Sequence, residues 1–484
     1  MAGIGFELNR LFNRKSIVSY IGAYTAAAVV FTGPMLLGVV LLIFVRILSG
    51  AAGATLHEQD IIIVVITYAL IASMLLNNIF NTTITRYVSD MLYMDRSERV
   101  MPSLHGVVAL QLAAGLLFYG LFMLFSGAGA VYSILGFILF SELVVVWTLI
   151  SFVSAVKDYI RIILIFAIGV ASGIICAFIL TFLTSMEIIT AMILSVYIGY
   201  GVMALGYYDT LKRYFPVNEG GSFRFVEYFF LNPQLALVGL FLSIGLFSHF
   251  VVVWLSPFGS QIIGVFRYAP LYDVPAFFAF LTTLVTTINF STTTEVYFYP
   301  VYKNYYGLLN TNGSLQAIEL AEREMLTVLK RELTYLIFKQ FVVTLLLSTV
   351  GSAILTEVSF GGFNTTTRGL FRVLCVGYGI FASANGVLLI LFYFTDYRDA
   401  LISTVLFAIG TLGTSLYFSF TGADISSFGF GIMGGSILMY ISAVLLLWNY
   451  TNNLQYNIFS KQPLLAEQQH GRLYHKLKEL WREA

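Results

Sequence analysis

The stretch KDYIRIILIFAIG at residues 157–169 is echoed by TDYRDALISTVLFAIG at residues 395–410. Each copy begins with a small charged patch around Asp-Tyr and continues as an apolar run that ends in Phe-Ala-Ile-Gly. The copies lie about 240 residues apart, close to half of the 484-residue chain. A similarity at this spacing either marks a duplicated fold or arises by chance in a sequence rich in apolar residues.

The composition excludes a soluble globular domain. Hydrophobic residues make up 58% of the chain and charged residues 11%, with a mean hydropathy of +0.86, whereas soluble domains carry about 25% charged residues. Apolar runs long enough to cross a bilayer recur along the whole chain. They are continuous rather than alternating, so they predict helices and not the strands of a membrane barrel. The twelve predicted spans are approximately 17–46, 61–85, 105–126, 131–154, 162–185, 188–208, 229–254, 274–300, 334–357, 369–394, 400–420 and 427–450.

The basic residues are distributed unevenly between the predicted loops. If the spans alternate in direction, all but four of the 26 Lys and Arg residues fall on one side of the membrane. Because Lys and Arg collect in cytoplasmic loops, both termini are predicted to be cytoplasmic, in a multi-pass protein of the cytoplasmic (inner) membrane. The opening residues lack the apolar core and cleavage site of a signal peptide, so none is expected. The four exceptions are Arg46, Arg267, Arg368 and Arg372.

A polar stretch, YYDTLKRYFPVNEGGSFRF at 207–225, divides the spans into two sets of six. It predicts an N-terminal lobe, a cytoplasmic linker, a C-terminal lobe and a cytoplasmic tail. The two Asp-Tyr patches then occupy equivalent places, as in parallel repeats. The predicted fold is an all-α polytopic membrane protein with two six-helix pseudo-repeat lobes around a central cavity. The predicted boundaries are 1–206, 207–228, 229–450 and 451–484.

Two spans that correspond in the repeat carry polar stripes at helical spacing. We expect these faces to point into the bundle or a water-filled cavity, because bare amides and hydroxyls are costly in lipid. The alternative is hydrogen bonding between packed helices. The stripes consist of Ser73, Asn77, Asn81 and Thr85 in span two, and Thr282, Thr286, Asn289 and Thr293 in span eight.

Ionisable residues at bilayer depth indicate function, since each costs at least ~2.5 kcal/mol to insert. Glu142 stands near the middle of span four, Glu295 ends the stripe of span eight, and Arg46 closes span one. Carboxylates at such positions bind a coupling cation or a cationic substrate group, whereas arginines bind phosphate or steer sugars. The alternatives are structural ion pairs and snorkelling near an interface.

Prolines interrupt corresponding spans of the two halves. Pro34 breaks span one near its centre, and Pro233 opens span seven. Paired interruptions predict a binding site or a hinge.

His249 in span seven is interpreted as a hydrogen-bonded packing residue, with titration near neutral pH as the alternative.

Signatures of catalysis or metal binding do not occur in the sequence. It contains no Asp-x-Asp, Gln-x-x-Arg-Trp, GxxxxGK[ST] or His-Glu-x-x-His motif. Cys176 and Cys375 fall inside predicted spans and are interpreted as small core residues. We therefore predict a protein that is not an enzyme and that uses no cofactor or metal. The basic residues are explained by topology, so no nucleic-acid partner is expected.

Two amphipathic helices are predicted outside the membrane. Residues 314–333 place Leu315, Ile318 and Leu326 at helical spacing, and the tail at 472–484 repeats this pattern among basic residues. The second pattern suits a membrane surface or a partner helix.

Seven motifs along the chain are distinctive. They are MAGIGFELNRL (1–11), TGPM (32–35), ITRYVSDMLY (84–93), NPQLALVGLF (232–241), YAPLYDVPAFFAFLT (268–282), TTTEVYFYPVYKNYYG (292–307) and DYRDALISTVLF (396–407). Together they resemble the Pel exopolysaccharide transporter family, known as PelG, which is placed among the multidrug/oligosaccharidyl-lipid/polysaccharide (MOP) flippases. The resemblance covers essentially the whole chain, although the family more often reads SGPW where residues 32–35 read TGPM here.

The resemblance implies a fold of two lobes around a cavity lined largely by helices one, two, seven and eight. It implies export of an amino-sugar exopolysaccharide for a biofilm matrix. It also implies two partners, a cytoplasmic glycosyltransferase and a membrane regulatory subunit that binds cyclic-di-GMP.

Three readings of function stay open at this point. The chain translocates polysaccharide, either as a nascent polymer or in lipid-linked units; it exports small molecules with a coupling cation at Glu142; or it anchors the glycosyltransferase without transporting. Buried arginines would suit a lipid diphosphate, whereas Asn, Thr, Tyr and Glu would suit a bare amino-sugar chain.

For the Asp-Tyr patches, the hypothesis is a latch between the lobes or a docking point for the glycosyltransferase that includes Asp158 and Asp396, with helix capping as the alternative.

Overall fold

A computed structural model describes residues 40–156, 158–311, 313–357 and 365–460. Within these ranges, eleven helices are long and apolar enough to cross a membrane. Each coincides with one of predicted spans two to twelve, so the helical multi-pass fold is confirmed. Residues 17–39 of span one, which include Pro34, and the tail beyond residue 460 lie outside the described residues.

We number each helix by the predicted span to which it corresponds. The N-terminal lobe contains α1 (Val40–Ala51), α2 (Leu56–Tyr93), α3 (Ser97–Leu124), α4 (Ala130–Val156), α5 (Tyr159–Phe182) and α6 (Ile188–Tyr214). The C-terminal lobe contains α7 (Pro233–Leu255), α8 in three pieces (Pro270–Phe280, Thr283–Thr293 and Tyr299–Asn310), α9 (Leu315–Leu346), α10 (Thr365–Tyr393), α11 (Tyr397–Phe420) and α12 (Gly429–Asn452). Further short elements are the helices Val226–Leu231, Ser352–Glu357 and Leu454–Ser460 and the strands β1 (Ser260–Ile263) and β2 (Phe266–Tyr268).

The two lobes repeat the same packing of helices. In the N-terminal lobe, α2 packs against α4, α4 against α6, and α5 against α6; in the C-terminal lobe, α8 packs against α10, α10 against α12, and α11 against α12. Two separate hydrophobic clusters form the cores of the lobes. The helices of the second lobe thus correspond, in order, to those of the first.

The glycine that ends each Phe-Ala-Ile-Gly sequence lies at a close contact between two helices. A Cβ atom on Gly169 of α5 would lie 2.8 Å from the carbonyl oxygen of Gly199 on α6. A Cβ atom on Gly410 of α11 would lie 2.8 Å from the Cα atom of Gly435 on α12. Small residues let membrane helices approach closely, and both copies use a glycine in this way.

The Asp-Tyr patches also occupy equivalent places. Asp158 and Asp396 are the N-cap residues of α5 and α11, with φ and ψ of −88° and 73° against −94° and 76°. The Asp158 carboxylate accepts hydrogen bonds from the Arg161 backbone N–H at 3.2 Å and the Tyr214 hydroxyl at 3.1 Å. Capping therefore explains Asp158, whereas the Asp396 side chain is buried and makes no capping hydrogen bond within its helix.

Two elements differ from the sequence-based expectation. The amphipathic segment 314–333 is not a separate helix, because α9 begins at its N-cap Ser314 and continues without a break to Leu346. No glycine or proline interrupts these residues. The predicted outer loop at 255–273 contains the antiparallel hairpin β1–β2, in which Gln261 pairs with Arg267.

Candidate functional site

The lobes meet where α2 packs against α7, and we call this contact the seam. The Asn78 amide donates to the Ser243 hydroxyl at 2.9 Å, and the Thr82 hydroxyl donates to the Leu235 carbonyl at 3.0 Å. A Cβ atom on Gly239 would lie 1.9 Å from the Asn78 carbonyl oxygen, so glycine is required there. These contacts are polar but uncharged.

The stripe residue Asn77 lies inside the N-terminal lobe. Its Oδ1 atom is 3.5 Å from Gln111 Nε2 on α3 and 3.4 Å from Thr148 Oγ1 on α4, and the Thr148 hydroxyl donates to Gln111 Oε1 at 2.5 Å. All three residues are buried. The cluster joins three helices. For Asn77 this arrangement is the one expected if the stripe serves hydrogen bonding between packed helices.

The C-terminal lobe contains a corresponding cluster. The Thr286 hydroxyl on α8 donates to the side-chain Oε1 atom of Gln340 on α9, and the side-chain amide of Gln340 donates to the Thr344 hydroxyl at 3.2 Å. A π-helical turn follows each glutamine, at Leu116–Gly120 and Leu347–Gly351. Gln111 and Gln340 thus lie on the corresponding helices α3 and α9, and each bonds to the polar stripe of its own lobe.

The other stripe residues are bound mainly to their own helices. The Thr282 hydroxyl donates to the Ala279 carbonyl at 2.7 Å, and the Asn289 amide donates to the Val285 carbonyl at 3.0 Å. The Asn81 Oδ1 atom is buried and has no hydrogen-bond partner among the described residues. Contact of Asn77, Asn81 or these α8 residues with substrate stays a prediction.

The sequence did not predict the seam residues, because it does not show which side of α2 faces the other lobe. The stripe through Asn77 faces the lobe interior, while its neighbour Asn78 faces α7. The adjacent asparagines Asn77 and Asn78 could have indicated two polar contacts of α2, since consecutive helical residues point about 100° apart. An Asn-Asn pair places amides towards two partners.

Glu142 on α4 lies against α6. A Cβ atom on Gly201 would lie 2.8 Å from Glu142 Oε1. The Glu142 Oε2 atom is buried and has no hydrogen-bond partner in the part of the chain that the structure describes. Within the same described ranges, no group of three His, Cys, Asp or Glu side chains could hold a metal ion. Glu142 is thus a single carboxyl group opposite a glycine.

The remaining predicted residues lie apart from the seam contacts. Arg46 is exposed near the end of α1 and lines a cavity of about 60 Å³ together with Gln59 and Thr67. Ligand pockets usually enclose at least ~300 Å³, so this cavity does not hold a sugar. Glu295 belongs to a π-helical turn, and its side chain is not among those described. Pro233 is the first residue of α7, and its role as a hinge stays a prediction.

The hairpin β1–β2 crosses from the C-terminal lobe to the N-terminal lobe. Its Val265 N–H donates to the Ser126 carbonyl at 2.8 Å, and the Tyr68 hydroxyl on α2 donates to the Arg267 carbonyl at 3.0 Å. The Tyr68 ring also stacks on Trp254 of α7, with centroids 4.8 Å apart. We call this end of the bundle the hairpin end, and here backbone and aromatic contacts tie the lobes together.

His249 is buried in the core of the C-terminal lobe. Its Nδ1 atom is 2.8 Å from the Tyr272 hydroxyl and its Nε2 atom is 3.2 Å from the Tyr378 hydroxyl. Both ring nitrogens have partners, so the histidine joins α7, α8 and α10. This arrangement agrees with its interpretation as a packing residue.

Two helical lobes that meet along one contact are a fold found in known membrane transporters. The chain is similar to an outward-facing multidrug resistance MATE family transporter of the MOP superfamily, with a TM-score of 0.55 and 16% identity over 89% of this chain and 96% of that one. It is also similar to a MOP superfamily transporter from Pyrococcus furiosus Vc1, with a TM-score of 0.54 and 15% identity over 89% and 96% of the two chains. At these identities the likeness shows the fold alone. The comparison with curated proteins found no match.

The family is shown by the sequence. The chain matches the PelG family, described as "Putative exopolysaccharide Exporter (EPS-E)", over residues 1–459. It therefore belongs to the PelG exopolysaccharide exporter family, and the predicted resemblance is confirmed.

Proposed function

We propose that the protein exports a Pel-type amino-sugar polysaccharide across the cytoplasmic membrane, with both termini in the cytoplasm. The observation that carries the proposal is the uncharged polar seam between the lobes of an exporter-family protein. Amide and hydroxyl groups match the hydroxyls and acetamido groups of neutral sugars. Arg46 and Arg372 are exposed, Arg372 bonds to the Ser352 hydroxyl, and neither belongs to the hydrogen bonds of the seam. This placement favours a bare polymer over a lipid diphosphate.

The proposal includes partners that supply the polymer. A cytoplasmic glycosyltransferase makes the chain from nucleotide sugars, and a membrane subunit that binds cyclic-di-GMP controls synthesis. The exporter itself catalyses no reaction, and synthesis drives the polymer through it.

Reconstitution in proteoliposomes tests this function. The protein is inserted with and without the glycosyltransferase, UDP-N-acetylhexosamine is added outside, and polymer protected from external hydrolase is measured. We expect protected polymer only with both proteins, and less of it with Asn78→Leu at the seam. Thr349→Val is the matched control, because this exposed hydroxyl bonds only to carbonyls of its own helix. Polymer that stays outside in the complete system contradicts the proposal.

Glu142 favours a second candidate function, export coupled to a proton or another cation. A buried carboxyl oxygen without a partner is suited to gaining and losing a proton. Glu142→Gln keeps the shape but carries no titratable proton. Under this alternative, the variant loses transport driven by an imposed pH gradient, whereas the exposed Glu319→Gln on α9 keeps it. Unchanged gradient-driven transport in Glu142→Gln excludes this role.

A further inference from the structure

The end of the bundle opposite the hairpin end is where α2 ends and α11 begins. Arg86 and Asp90 of α2 form an ion pair there, with 3.1 Å between Nε and Oδ2. The two side chains are 44% and 23% exposed. A surface pair of this kind contributes only ~0.3–0.5 kcal/mol to stability. Both charges therefore remain accessible to a ligand at little cost to the fold.

Tyr87 of α2 and Tyr228 of the short helix Val226–Leu231 lie beside this pair. The rings of Tyr87 and Tyr228 meet edge to face, with centroids 5.1 Å apart, and the Tyr228 hydroxyl lies within electrostatic reach of Asp90. Burial and, after it, the charge of Asp90 raise the pKa of Tyr228 to about 12. The hydroxyl thus stays protonated at neutral pH, while the Arg86 guanidinium orients the carboxylate.

The C-terminal lobe brings Tyr302 and Tyr397 to the same place. The charge of Arg86 acts on both hydroxyls, and the charge of Asp90 acts on that of Tyr397. The Tyr302 hydroxyl donates to the Tyr393 carbonyl at 3.0 Å, which fixes its ring. Tyr302 and Tyr397 are half-buried, so part of each ring surface is open.

Charges beside partly open aromatic rings suit an amino sugar. The apolar face of a pyranose packs on an aromatic ring, and its hydroxyls bond to guanidinium and carboxylate groups. The ammonium group of a deacetylated unit is attracted by a carboxylate and by the face of a tyrosine ring. Neutral and deacetylated units therefore both find partners in such a cluster.

We infer that the Arg86–Asp90 pair, together with Tyr228, Tyr302 and Tyr397, binds hexosamine units of the polymer where it enters the transporter. The inference rests on the proposed function and adds the first contact with the substrate. Asp90 holds the ammonium group of deacetylated units, and Tyr397 carries the sugar ring. The second Asp-Tyr patch thus has a role that the capping Asp158 patch does not share.

Binding to the purified full-length protein in lipid nanodiscs tests the site. Calorimetry measures the affinity for short oligomers of N-acetylglucosamine and of glucosamine, at a pH where the glucosamine amine is protonated. We expect Tyr397→Ala to weaken both affinities about tenfold, and Tyr397→Phe to restore them. Asp90→Asn should weaken glucosamine binding far more than N-acetylglucosamine binding. Tyr417→Ala is the control, because Tyr417 lies on the same helix, 63% exposed, near its other end.

The outcomes separate this inference from the proposed function. Wild-type affinities in folded Tyr397→Ala and Asp90→Asn overturn the site, and so does a wild-type protein that binds neither oligomer. If the proteoliposomes still export polymer in those cases, the proposed function stands without this site. If Tyr397→Ala does not fold, the selectivity of Asp90→Asn decides, since this surface substitution removes no buried group.

Discussion

Gln111 on α3 and Gln340 on α9 each join neighbouring helices of their lobe through the side-chain amide. We expect Gln111→Leu and Gln340→Leu each to lower stability by about 1 kcal/mol, as a helix–helix hydrogen bond in a membrane protein does. The two losses should add, because the glutamines lie in separate cores. Thermal unfolding in detergent measures the effect.

A control for these two variants is Gln455→Leu, since Gln455 is exposed and bonds to Glu322 on the protein surface. Its unfolding temperature should match that of the wild type. A double variant no less stable than either single variant would show that the two clusters do not contribute independently.

At the scale of the element, Gly410 sets the distance between α11 and α12. We expect Gly410→Val to separate these helices and to reduce the yield of folded protein, because its Cβ atom would meet Gly435 at 2.8 Å. Overpacking of this kind costs ~1–3 kcal/mol or more. Size-exclusion chromatography of the solubilised protein measures the folded fraction.

Gly413→Val is the matched control on the same helix. A Cβ atom at Gly413 would have no neighbour within 4 Å, so the variant should fold like the wild type. Equal losses in both variants would point to helix propensity rather than to packing between α11 and α12.

The docking of the hairpin depends on Gly264. Its φ is +54°, and a Cβ atom would lie 2.0 Å from the Ser126 carbonyl oxygen. We expect Gly264→Ala to break the bond from the Val265 N–H to Ser126 and to speed hydrogen exchange at that amide. Gly53→Ala separates backbone strain from the clash, because Gly53 has a φ of +88° and open space around it. Unchanged protection of Val265 in Gly264→Ala would contradict the docking.

Hydropathy was sufficient to predict eleven described spans, because a helix that crosses lipid needs about 20 apolar residues whatever it packs against. The Phe-Ala-Ile-Gly echo indicated the repeat, with chance similarity as the alternative, and in both copies its glycine lies at a close contact between helices. The direction of the Asn77 stripe could not be predicted, because one residue's rotation decides between the lobe interior and the seam. The crossing of the hairpin depends on contacts far along the chain, whereas the continuity of α9 was open to prediction, because no glycine or proline interrupts residues 315–346.

At the scale of the whole molecule, the proposed export would open a path between the lobes if they move relative to each other. The seam is the contact that must change, because it joins α2 of one lobe to α7 of the other. The facing side chains of Asn78 and Ser243 are 2.9 Å apart. A covalent link between these positions would hold the lobes in their present arrangement.

We therefore expect Asn78→Cys with Ser243→Cys to lose export after oxidation or treatment with a short bifunctional thiol reagent, in a protein whose Cys176 and Cys375 are replaced by Ala. A reductant should restore export to the disulfide-linked form, and each single-cysteine variant should be unaffected by the oxidant. Mobility on a non-reducing gel does not report an internal link, so mass spectrometry of the joined peptides measures its extent. Export that persists in fully linked protein would mean that polymer passes without separation of α2 from α7, and the path would then have to lie within one lobe or along another contact.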